Sequence, residues 1–127
     1  MYREVAERYG RLLNDGFLTS RLVVDTGMNA LGWSLERARD FMRQNSGISE
    51  AEVLTESLRY SCDIPGQALA YKIGDEKMLQ LRARWRAHAG SRFDLRSFHS
   101  VLLSTGAIPL PELEWHFERA METGVPT

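Results

Sequence analysis

The sequence predicts an all-α fold, a single compact multi-helix domain of about six helices, one of them long. Three observations predict it. Apolar residues recur at steps of three and four, and alternating period-two runs are nearly absent. Capping residues and glycines punctuate the chain at helix-length intervals. With 127 residues, the chain has the length of one domain with one core.

The first helix is expected from Tyr2 to Leu31, because Val5, Tyr9, Leu12, Leu13, Phe17 and Val24 keep to one side of a rod. Gly10, Gly16 and Gly27 interrupt it, each at about 1 kcal/mol relative to alanine, so packing must compensate there or the rod must bend. Ser34 caps a second helix that runs to Gln44, with Asn45-Ser46-Gly47 as the stop. Ser49 and Glu52 form a capping box, and Ile48 is placed to staple onto Val53, so a third helix should cover Glu50 to Ser61. Pro65 suits a first helical turn, since the donor it lacks would be unpaired there, and a long fourth helix is expected to follow to Ala89. Its stripe is Tyr71, Gly74, Met78, Leu81 and Trp85. Gly90 ends it. Asp94 caps a fifth helix, Leu95 to Ser104, closed by Gly106, and Pro109 and Pro111 open a sixth to Glu122. No repeat, low-complexity tract or long linker separates these elements, so 1–122 is expected to form one domain, with 123–127 as a frayed tail.

The composition excludes several classes. Forty-three per cent hydrophobic and 26% charged residues are globular proportions, which argue against disorder and membrane spanning. Sixteen Lys and Arg against seventeen Asp and Glu leave a net charge of -1, too little for a protein whose work is to neutralise phosphates. No nucleic-acid or membrane partner is therefore expected. The single cysteine, Cys62, excludes an internal disulfide, and Met1-Tyr2-Arg3-Glu4 lacks the start of an export signal, which leaves the cytoplasm as the default location.

Few side chains form a chemical constellation. His88, His99 and His116 share no four-residue spacing, so no local zinc signature exists and no metal is expected in this chain. Cys62 has no neighbouring cysteine and reads as a buried structural thiol. Arg82, Arg84, Arg86, Arg92 and Arg96 form the densest basic run, but they do not share one helical stripe and read as a solvated surface. Two segments are less ordinary. In Arg21-Leu-Val-Val-Asp-Thr-Gly-Met-Asn29, Arg21 and Asp25 stand four apart beside an apolar run. They are either a buried pair with a positional role or an exposed helical pair worth tenths of a kcal/mol. In Pro65-Gly-Gln-Ala-Leu-Ala-Tyr-Lys-Ile-Gly74, Gln67 and Tyr71 are again four apart. They either address a polar ligand together or bond to another helix.

Arg21 to Trp33 and Pro65 to Gly74, together with Phe93-Asp-Leu-Arg-Ser-Phe-His99 and Gly106-Ala-Ile-Pro-Leu-Pro111, resemble the C-terminal part of the bacterial domain-of-unknown-function family 885. The resemblance covers most of the chain. It implies a helical zinc metallopeptidase of the His-Glu-x-x-His type, in which zinc polarises the scissile carbonyl and a glutamate is the base. That motif and base are absent from these 127 residues, so zinc is implied for the full-length family and no catalytic residue is expected here. The resemblance implies that Arg21, Asp25, Asn29, Gln67 and Tyr71 line or support a substrate cleft, with Tyr71 as an oxyanion donor. Asn29 stands where the family pattern has histidine, which removes an imidazole from any such chemistry. The expected function is a helical module related to a hydrolase and inactive alone. The alternative is a noncatalytic module for peptide or protein interaction. In either case, helix faces left bare favour a homodimer or a partner chain, and a peptide is a candidate ligand.

Overall fold

The starts of four of the helices can be traced to particular capping residues. The structure is a computed structural model that describes residues 3–123. The Glu7 carboxylate accepts from the amides of Arg3 (2.8 Å) and Glu4 (3.1 Å) and starts α1, Val5–Leu31. The expected start at Tyr2 lies outside the described residues. Gly32 takes a left-handed φ of 69° and stops α1, and the Trp33 amide donates back to the Gly27 carbonyl (2.9 Å). Gly27 has a steric reason to be glycine: a Cβ there would meet the Trp33 ring at 2.6 Å.

Ser34 accepts from the Arg37 amide and starts α2, Leu35–Asn45. The Ser49–Glu52 capping box forms as the spacing predicts and starts α3, Glu50–Leu58. Ile48 packs with Val53 in the same apolar cluster. After Leu58 the chain departs from expectation. Arg59–Asp63 winds one wider π-helical turn, in which the Ile64 amide reaches the Arg59 carbonyl (2.9 Å). Residues 65–68 then form a turn, so Pro65 does not open a helix, and α4 is Leu69–Ala89. The reason is Gly66, whose φ of 85° is left-handed and whose amide is taken by a distant carboxylate.

A short 3-10 turn, Gly90–Arg92, follows α4. Asp94 accepts from the Ser97 amide and caps α5, Leu95–Ser104. The last helix, α6, is Leu110–Thr123. Thr123, expected to begin the tail, is thus helical, and 124–127 lie outside the described residues.

The fold is all-α, and the chain groups into two compact units, Met1–Ile73 and Gly74–Thr127, with the boundary inside α4. The first unit is built on Val24 of α1, Ala38 and Met42 of α2, Val53 of α3, Tyr60 of the π turn and Ala68. In the second, Trp85 of α4 meets Phe117 of α6 edge-on at 5.4 Å and Phe98 of α5 at 6.3 Å. Leu81, Val101 and Leu113 complete that core. Among the described residues, no helix is long and apolar enough to cross a membrane.

Candidate functional site

The five residues singled out in the sequence all lie in the first unit, and hydrogen bonds and ring contacts draw them into one cluster. Asp25, 1% exposed on α1, is its anchor. Both of its carboxylate oxygens accept from the Gly66 amide (3.0 and 2.9 Å). The Asn29 side-chain amide, one turn along, donates to the Asp25 carboxylate (2.9 Å), to the Asp25 carbonyl (3.1 Å) and to the Tyr60 carbonyl (3.0 Å). Asp25 and Asn29 therefore tie the π turn and the Gly66 turn to α1. A buried carboxylate is tolerated because donors surround it.

Arg21 lies one turn earlier, 7% exposed. It takes partners other than Asp25: its Nη2 donates to the Gln67 side-chain carbonyl (3.1 Å), and its Nε stands 4.0 Å from the Glu56 carboxylate. Three rings enclose the guanidinium, with Tyr71 at 4.8 Å, Tyr60 at 5.4 Å and Phe17 at 5.5 Å from its carbon. Among the described residues, its Nε is the one buried side-chain nitrogen or oxygen without a hydrogen bond. Gln67, predicted in the first turn of a helix, sits in the Gly66 turn instead, while Tyr71 sits on α4 and is 48% exposed. Both still converge, as their spacing allows, on one guanidinium.

Sequence reasoning missed Glu56, Tyr60 and Phe17. The Glu56 carboxylate accepts from the Tyr60 hydroxyl and from Arg59 (2.6 Å). Burial, with the bond to Glu56, pushes the Tyr60 phenol well above its ordinary range. The spacing Glu56-x-x-Arg59-Tyr60 carried the signal, since residues three and four apart on a helix are neighbours. Cys62 is a correction: expected buried, it is exposed on the π turn, its sulfur 3.3 Å from the Ser61 hydroxyl. The wide turn swings that position outward, where a continued α3 would have placed it differently.

Asp25 and Asn29 hold backbone, whereas Arg21, Gln67 and Tyr71 present a guanidinium, an amide and a phenol side by side. The two groups can thus do different chemistry. The basic run of the second unit is partly neutralised within the unit. Arg84 bonds Glu114 (2.6 Å) and Glu118 (2.7 Å), and Arg86 lies over the Phe93 ring at 5.0 Å. Among the described residues, no group of three His, Cys, Asp or Glu side chains could hold a metal ion. The zinc of the resemblance therefore finds no fitting ligand set in them. His116 instead pairs with the Ser104 hydroxyl (3.3 Å).

Residues 1–116 match the family described as bacterial protein of unknown function, DUF885. The chain belongs to that family. It is also similar to a solved structure from Colwellia psychrerythraea, a protein provisionally described as a lipoprotein, at 39% identity and a TM-score of 0.88. The alignment covers 92% of this chain and 20% of that one, so the chain spans about a fifth of the length of the structure it matches. Among curated proteins nothing matches. Each motif segment quoted for the resemblance lies within the matched residues of the DUF885 family.

Proposed function

We propose that this chain is a helical module of a DUF885 hydrolase, akin to the C-terminal part of a zinc-metallopeptidase-like fold, that contributes substrate-binding side chains and is not catalytic alone. The observation that supports this reading most directly is the arrangement at Arg21. A guanidinium is held among three rings with an unbonded Nε, and Gln67 and the half-exposed Tyr71 stand on it. In that reading Gln67 and Tyr71 bond the backbone of a peptide, and the Tyr71 phenol donates to the oxyanion that forms as the carbonyl is attacked. Arg21 orients both, while Asp25 and Asn29 position the Gly66 turn that carries Gln67. In this reading the metal chemistry is supplied by another part of the full-length family protein.

The test is a titration of the purified chain with short peptides of mixed sequence, read by nuclear magnetic resonance. Expected is a saturable shift at Tyr71 and Gln67, with affinity lowered about tenfold by Gln67→Ala or Tyr71→Ala, as the loss of one good hydrogen bond or stacking contact implies. Binding that both variants leave unchanged would remove these residues from the substrate site.

A second reading, a noncatalytic interaction or oligomerisation module, is favoured by a specific feature of α1. Val5, Tyr9 and Leu12 are 82%, 62% and 68% exposed and lie on one side of the helix. Such a stripe suits a second copy or a partner chain. In this reading the chain is dimeric by light scattering and Leu12→Glu makes it monomeric; a monomer throughout the micromolar range would exclude self-association. For location, the cytoplasm is the default for a chain without an apolar span, and the lipoprotein description of the Colwellia protein weighs toward the cell envelope. Cell fractionation decides between them.

A further inference from the structure

The second compact unit holds a recess of about 360 Å³ where the end of α4, the start of α5 and the end of α6 meet. Its floor is apolar: Trp85, Ala89, Ala120 and Met121. Trp85 is 6% exposed and is fixed edge-on by Phe98 and Phe117, so the floor is formed before any ligand arrives. The volume lies at the lower end of the range for small-molecule sites, roughly 300–1,000 Å³, and suits one small organic molecule rather than a peptide segment.

The rim carries charge of both signs. Asp94 accepts from the Ser97 amide (2.9 Å) and hydroxyl (2.8 Å), and these bonds hold its carboxyl below the ordinary aspartate range, so it is anionic at neutral pH. Arg92, two residues earlier in the 3-10 turn, and His88, in the last turn of α4, also line the recess. Among the described residues, neither side chain takes a hydrogen bond or an ion pair. A lone organic anion would meet the Asp94 charge, and a lone amine would meet Arg92. A molecule carrying both charges close together, with an apolar body, satisfies rim and floor at once.

We propose that this recess binds a free amino acid with an aromatic or large aliphatic side chain, its ammonium on Asp94, its carboxylate on Arg92 and its side chain against Trp85 and Met121. The site is independent of the reading of the Arg21 cluster. Calorimetric titration of the purified chain with L-phenylalanine and L-leucine tests it. At least one is expected to bind saturably at one site per chain. For the binding amino acid, the amide, which lacks the carboxylate, and the desamino acid, which lacks the ammonium, should each bind at least about tenfold more weakly. Arg92→Ala should weaken binding as far as loss of the carboxylate does, and Ala120→Trp, which fills the recess, should abolish it with the helical circular dichroism retained. Absence of saturable heat with both amino acids would overturn the proposal. So would a desamino acid that binds as tightly as the amino acid, or unchanged binding in Arg92→Ala, whose exposed position keeps the fold out of the result.

Discussion

Asp25 ties distant parts of the first unit together, because one carboxylate collects a backbone amide 41 residues away and an asparagine one turn away. Removing it strands the buried end of that network. Asp25→Ala is therefore expected to destabilise the chain by about 3 kcal/mol in urea unfolding, the cost of leaving buried donors without their charged acceptor. A loss below about 0.5 kcal/mol, the ordinary surface value, would mean the clamp does not form in solution. Tyr60 gives a second check. Its folded-state pKa is raised by burial and by the Glu56 carboxylate, so its contribution is fully present below the ordinary phenol value of about 10 and is lost as pH rises toward the folded value. In an alkaline titration followed by tyrosinate absorbance, Tyr60 is expected to ionise together with unfolding, and Tyr60→Phe should remove that late component. A chain whose tyrosines all ionise before the helical signal changes would contradict the burial of this phenol. At this scale the sequence was half legible. It placed Arg21, Asp25, Gln67 and Tyr71 in two spaced pairs, but spacing within a helix cannot show that Asp25 is held by Gly66 or that Arg21 turns to Gln67 and Glu56.

Helices were the most legible level. Ser34, Ser49, Asp94 and Gly106 act where the sequence put them, because a cap is decided by three or four neighbouring residues. The failures lie between Leu58 and Leu69, where the chain makes a π turn and then a left-handed glycine turn. That geometry is stabilised by α1 rather than by local propensity, so no window around Pro65 reveals it. The glycines of α1 looked alike in the sequence and differ in the structure. Gly27 faces the Trp33 ring at a distance no Cβ can occupy, and Gly10 has nothing within 4 Å. Gly27→Ala is accordingly expected to lower stability by about 1–3 kcal/mol through overpacking. Gly10→Ala should raise it by about 0.5–1 kcal/mol, as in an open helix interior. Thermal melts of the two variants side by side check the pair. A rise in both melts would show that Trp33 does not fold back on α1.

For the whole molecule, the fold class followed from periodicity, whereas the division into two units with separate cores did not, since α4 runs unbroken through the boundary and carries no linker composition. Periodicity reports which face of a helix is apolar, not which neighbour covers it. The same blindness applies to α1, whose apolar stripe was legible while the exposure of Val5, Tyr9 and Leu12 was not. The chain belongs to DUF885 over residues 1–116 and spans about a fifth of the length of a similar solved protein, so any function proposed for it is that of a part. In the proposed reading this chain supplies substrate-binding side chains and no hydrolytic centre. The most direct measurement is metal analysis and peptide hydrolysis on one preparation of the purified chain supplied with zinc. Substoichiometric zinc and no turnover above buffer are expected; one zinc per chain, with hydrolysis lost when the metal is chelated, would contradict the proposed function.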